Sequence, residues 1–148
     1  MDDFSVLNFM HSLMRWLVLF GIGGAAVVSW RSLVLKTPIM VWERALTIAA
    51  MVLCHVQLVI GALLYMINYK SINVGMTGDM KRYWKFEHLG MMVIAILLVT
   101  LGRILSKRAK VEGAKQLLIA VFYTAALLLL LWSIPWPFTF MGQGRGWI

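Results

Sequence analysis

The chain has 148 residues, 61% of them hydrophobic, and a formal net charge of +8. With a mean hydropathy of +0.83, it carries more apolar surface than a soluble domain of this length buries, so the composition defines an integral membrane protein. The charge does not point to nucleic acid, because it is gathered in two short loops and not along a binding face.

A spanning helix needs about 20 mainly apolar residues. The sequence predicts four such helices, over 7–35, 42–69, 83–107 and 114–134, which fill 1–148 as a single transmembrane domain. The first follows Met-Asp-Asp-Phe, which has neither the basic n-region nor the small-residue cleavage site of a signal peptide. Its Gly21, Gly23 and Gly24 predict close approach of another backbone or of a flat ligand, and Thr37-Pro38 ends it. The second is plain in its lower half and dotted with His55, Gln57, Tyr65 and Asn68 in its upper half. Cys54 is the sole cysteine, which excludes an intrachain disulfide. Gly75 and Gly78 make Lys70 to Arg82 a polar loop. Proline lacks an amide proton, so Ile134-Pro135-Trp136-Pro137-Phe138 stops the fourth helix. Gly142-Gln143-Gly144-Arg145-Gly146 reads as a flexible tail. Trp84, Trp132 and Trp136 mark one membrane interface, Trp30 and Trp42 the other.

Short connections make successive helices antiparallel. The expected fold is an all-α, up-down-up-down bundle of four transmembrane helices, the first and third parallel. The loops after the first and third helices carry Arg31, Lys36, Arg44, Arg103, Lys107, Arg108, Lys110 and Lys115 against Glu43 and Glu112. By the positive-inside rule these loops face the cytoplasm and both termini face the outer, periplasmic side. The same basic excess predicts contact with anionic lipid.

Ionisable side chains inside a membrane mark function by default. The three histidines are His11, His55 and His88. At 1.5 Å per residue, His11 stands about 28 Å above Trp30 and His88 about 28 Å above Lys107, whereas His55 is only about 16 Å above Arg44. His11 and His88 are therefore level, on parallel helices, near the outer end. That is the arrangement one bis-histidine haem b requires, with one imidazole nitrogen on each side of the iron. The nitrogen that does not bind iron needs a carbonyl or carboxylate, and the sequence supplies no clear partner. Arg82 and Lys85, with Lys81, are candidate cations for the propionates. Arg15 lies one turn below His11 on the same face, suited to a tilted or lower haem, or to an ion pair with Glu87. His55 reads either as an interhelical hydrogen-bond donor, as an alternative haem ligand, or as part of a quinone or proton site. Met10, Met14, Met91 and Met92 near the two histidines raise a copper reading, although methionine is an ordinary gap-filler in apolar helices.

The ordered runs His11-Ser12-Leu13-Met14-Arg15-Trp16, His55-Val56-Gln57-Leu58-Val59-Ile60-Gly61-Ala62-Leu63-Leu64-Tyr65, Phe86-Glu87-His88-Leu89-Gly90-Met91-Met92 and Ile134-Pro135-Trp136-Pro137-Phe138 resemble the small four-helix "cytochrome B" membrane proteins of Bacteroidota. The resemblance covers most of the chain. It implies a multi-pass protein of the bacterial inner membrane and a cytochrome-b-type site at His11, Arg15, His55, Glu87 and His88, but no particular reaction. The chain differs from that pattern at Val111-Glu112-Gly113-Ala114, where relatives are more basic, and in its Gly-rich tail.

No nucleophile–base set, Gly-rich phosphate loop or His-Glu-x-x-His helix occurs, which argues against hydrolase or transferase chemistry. The leading expectation is a single-haem b electron carrier or redox subunit, working with a membrane redox partner or larger complex. The alternatives are an accessory or assembly subunit without haem, and a copper- or quinone-handling protein.

Overall fold

The computed structural model describes residues 3–76 and 78–142; the tail from Gln143 onward lies outside them. The described chain is nearly all helix. Helix α1 spans Asp3–Leu35, α2 Val41–Gly75, α3 Gly78–Arg82, α4 His88–Arg108 and α5 Glu112–Ser133, with a π-helical turn at Tyr83–Glu87 and a 3₁₀ turn at Phe140–Gly142. Four segments are long and apolar enough to cross a membrane: Val6–Leu35, Val41–Gly75, Gly78–Arg108 and Glu112–Ser133.

Contacts fix the topology. Gly21 faces Ala50, Ser32 bonds Glu43, and Gln57 bonds the His11 carbonyl, so α1 and α2 run antiparallel. Trp30 bonds Thr124, and Trp16 packs on Trp136 just beyond α5, which sets α1 antiparallel to α5. Met91 meets Ser133 and Ser106 meets Lys115, which does the same for α4 and α5. The helices thus stand in the cyclic order α1, α2, α4, α5. The parallel pair α1 and α4 lies on one diagonal, and the α2–α4 seam is the loosest of the four.

The packing is that of a bundle in lipid. Small residues fill the interior, Ala25, Ala50, Ala95, Ala120 and Ala126 among them, and let backbones approach closely. Large apolar side chains such as Phe20, Val34 and Trp132 point outward. Helices α4 and α5 approach tightly at Gly102, where an added Cβ would lie 2.5 Å from Phe122 Cβ. At Gly21, Gly23 and Gly24 the same test gives ordinary contacts of 3.5–3.8 Å, so that expected glycine stripe is not the tight seam. Buried polar groups are knitted across helices: Tyr123 Oη donates to the Thr47 carbonyl at 2.7 Å and Gln116 Nε2 to the Thr37 carbonyl at 2.8 Å.

The helix ends obey local chemistry. Lys36 adopts φ +54° and closes α1, with Thr37 N bonding the Ser32 carbonyl and Lys36 N the Leu33 carbonyl, a Schellman arrangement before Pro38. Glu43 caps α2 by accepting the Met40 amide at 3.0 Å.

The predicted loop over Lys70 to Arg82 is instead mostly helical. Helix α2 runs on to Gly75, about 50 Å in all, so its last turns stand clear of a hydrocarbon layer about 30 Å thick. Ile72 is buried, and Lys81 Nζ and Lys85 Nζ bond the backbone and side-chain oxygens of Asn73. Those ties hold the extension against the helix-weakening effect of glycine. Only Gly78, at φ +55°, takes the left-handed turn that the glycine pattern predicted.

Candidate functional site

A cavity of about 580 Å³ occupies the end of the bundle opposite the basic loops, between α1, α2 and α4, with Leu130, Ile134 and Pro135 on its remaining side. That volume suits a medium-sized organic ligand. Its walls are mainly apolar, with polar side chains that include His11, Arg15, Gln57, Tyr65, Asn68 and His88. His11 and His88, on the two diagonal parallel helices, therefore face one shared space.

Each histidine is placed by a distinct local feature. His88 comes directly after the π-helical turn, its amide bonding the Tyr83 carbonyl five residues back. A π turn takes up an extra residue and rotates the later part of the helix relative to the earlier part. His88 thus faces inward, flanked by the Tyr83 and Trp84 rings at 5.8 and 5.5 Å. Its Nδ1 lies 3.3 Å from the Ser133 carbonyl oxygen, which also accepts from Tyr83 Oη at 2.7 Å.

That carbonyl is free for a reason legible in the sequence. In a continuing helix it would accept from the amide of residue 137, but Pro137 has none. Pro135 leaves the Leu131 carbonyl free in the same way, and the Trp136 indole takes it at 2.9 Å.

His11 is seated on α2. An added Cβ at Gly61 would lie 3.0 Å from His11 Cε1 and 3.6 Å from Nδ1, so a side chain there would push the ring by a few tenths of an ångström. Gln57 Nε2 donates to the His11 carbonyl at 2.8 Å. Two buried atoms beside the cavity make no hydrogen bond among the described residues: His11 Nδ1 and Gln57 Oε1. A buried polar atom left so costs roughly 1–3 kcal/mol, a cost that a polar or metal-bearing ligand would remove. Arg15 also lines the cavity, its guanidinium 5.7 Å from the Trp16 ring and 5.9 Å from that of Trp136.

The other expected site residues lie elsewhere. Arg82 bonds Glu87 at 2.6 Å and pairs with Asp79 at 3.6 Å; Lys85 bonds Asn73 Oδ1 at 3.0 Å. Neither lines the cavity. Glu87 is thus engaged by Arg82 and not by Arg15. His55 is exposed on the α2–α4 flank. Its Nδ1 bonds the Met51 carbonyl of its own helix at 2.8 Å, and its Nε2 lies 3.5 Å from Thr100 Oγ1. It does not line the cavity. Of the methionines near His11 and His88, Met92 lines the cavity, whereas the Met91 sulfur accepts from Ser133 Oγ. Among the described residues no group of three or more His, Cys, Asp and Glu side chains is placed to hold a metal ion. A haem iron asks the protein for only two axial ligands, a smaller set than that.

The residues present fit a haem. The cavity has two imidazoles on its walls, one with an anchored Nδ1 and one packed against a glycine, and its remaining walls are largely apolar. The sequence shows no clear partner for His88, and the Pro135/Pro137 spacing after α5 is the signal that could have found one. Fold and cavity together define a multi-pass helical membrane protein with a histidine-walled cavity at one end. No family model, curated protein or solved structure matches the chain.

Proposed function

We propose that this membrane protein is a b-type cytochrome that holds one haem between His11 and His88 and passes electrons at the end of the bundle away from the basic loops. The observation that carries this reading is the shared cavity: two imidazoles from diagonal, parallel helices face the same space, and one of them already has its Nδ1 beside a free carbonyl. When bound, the haem supplies a one-electron couple at iron. His88 and His11 would be its ligands, and the Ser133 carbonyl would fix the tautomer and orientation of His88. Arg15 would offset propionate charge, in place of Arg82 and Lys85. The apolar walls exclude water and set the local dielectric.

Only three histidines exist in the chain, and none lies near the basic loops. One haem near one surface supports exchange with a partner at that surface, and no wire across the membrane. By the positive-inside rule that surface is the periplasmic side of a bacterial inner membrane. The resemblance to small "cytochrome B" proteins supports the same class. Haem content of protein purified after growth with ample haem tests the proposal: one haem per chain is expected, and a haem-free, colourless protein contradicts it.

A quinone is the second reading, favoured by one observation. The orphaned Gln57 Oε1 and His11 Nδ1, with Arg15, put polar groups at one side of a mainly apolar cavity. A colourless protein that binds a quinone analogue, and loses it in Gln57→Leu, would replace the haem reading with this one.

A further inference from the structure

A second cavity, of about 180 Å³, lies at the opposite end of the bundle among the basic residues. All four spanning helices wall it. Arg44 comes from α2, Arg103 and Lys107 from α4, and Lys115 from the first turn of α5. Among the described residues none of these four cations is in an ion pair. One carboxylate, Glu43, also lines the space. It is buried, and it is turned to the wall: one oxygen accepts from Ser32 Oγ at 2.8 Å and the other from the Met40 amide. The formal balance of the lining is therefore four positive charges against one negative.

The wall is built independently of any ligand. Ser32 bonds Glu43, Thr47 Oγ1 bonds the Arg44 carbonyl, Ser106 Oγ bonds the Lys115 carbonyl, and Gln116 bonds the Thr37 carbonyl. These buried side chains tie together the four helix ends, three of which carry the cations. Two of those helices, α2 and α5, begin here, so their positive dipole ends add to the field. Four cations held at one mouth repel each other unless an anion joins them. Size limits the anion. A space of about 180 Å³ has room for one phosphate group.

We propose that this cavity is a phosphate-binding site, which seats a single phosphate group contacted by Arg44, Arg103, Lys107 and Lys115. The group is carried on the headgroup of an anionic phospholipid or arrives as free phosphate. Arginine matches phosphate oxygens with a bidentate fork, and lysine adds point charge. The site stands apart from the histidine cavity and does not depend on what fills that one.

The test uses the full-length protein in neutral detergent. Native mass spectrometry compares retention of phosphatidylglycerol with that of phosphatidylcholine, and thermal melts compare inorganic phosphate with chloride at equal ionic strength. The variants are Arg103→Gln with Lys107→Gln, Lys115→Gln alone, and Arg108→Gln as a control that does not line the cavity. Loss of charge-assisted contacts is expected to lower retention about tenfold or more in the first two and not in the control. Preferential retention of phosphatidylglycerol without a melting shift assigns the lipid as source; a phosphate-specific shift without it assigns free phosphate; either supports the site when the variants abolish it. Equal retention of both lipids with no phosphate shift overturns it, as does an effect that the variants share with Arg108→Gln. Should the double variant lose its helical circular dichroism, Lys115→Gln decides.

Discussion

His88 Nδ1 stands 3.3 Å from the Ser133 carbonyl oxygen, an acceptor left without a helical partner where α5 ends ahead of Pro135 and Pro137. The helix stop on α5 and the orientation of a histidine on α4 are thus one feature. The same carbonyl takes the Tyr83 hydroxyl at 2.7 Å, so Tyr83 and His88 compete for it.

Tyr83→Phe removes the competitor. His88 then donates more strongly and its Nε2 becomes more basic, which favours ferric iron. The expected outcome is a lower midpoint potential in a redox titration, with a stability loss of about 0.5–1.5 kcal/mol for the missing hydrogen bond. An unchanged or higher potential would contradict the coupling of Tyr83 to His88.

Gly61→Ala tests the seat of His11. Alanine in place of glycine gains about 1 kcal/mol of helix propensity, while a Cβ 3.0 Å from His11 Cε1 forces a shift of a few tenths of an ångström. The two effects nearly cancel in stability, but the displaced ring no longer holds its ligand geometry. Melting temperature is expected to change little and haem content to fall, further in Gly61→Val. Full haem content in Gly61→Val would show that His11 does not ligate from this position.

Gly102→Ala tests the α4–α5 seam. Its Cβ would meet Phe122 Cβ at 2.5 Å, a clash of backbone-proximal atoms that cannot relax by rotating a side chain. Overpacking of this kind costs about 1–3 kcal/mol. Thermal melts in detergent are expected to show the loss, and Phe122→Gly in the same chain, which removes that Cβ, to recover part of it. Additive losses would mean that the two residues do not touch.

Glu43 caps α2 and holds Ser32. Glu43→Ala removes both hydrogen bonds and is expected to cost about 1–2 kcal/mol, measured by the same melts. Glu43→Gln keeps an acceptor oxygen for the cap and is expected to cost less. A larger loss in Gln than in Ala would show that the charge, and not the hydrogen bonds, stabilises this helix end.

The four spans were legible because apolar runs of 20 or more residues have few other readings. The extension of α2 through Gly75 was not, since it depends on Lys81 and Lys85 reaching back to Asn73 from another segment. Height along a helix can be counted from sequence, and counting it paired His11 with His88, which do line one cavity. Direction around a helix is harder. Arg82 and Lys85 had a suitable height, but neither lines the cavity. His55 illustrates the same limit: its depth was read, but its place on the outer flank beside Thr100 was not. The basic loops and their contact with anionic lipid were legible in the sequence; the cavity they share was not, because its cations come from three helices and its buried polar wall from all four.

The central claim is that His11 and His88, and not His55, hold one haem. The most direct measurement is the reduced-minus-oxidised visible spectrum of the purified protein and of His11→Ala, His55→Ala and His88→Ala. A b-type α-band in the native protein and in His55→Ala, lost in the other two, is the predicted result. A band that survives in His88→Ala, or disappears in His55→Ala alone, would contradict it.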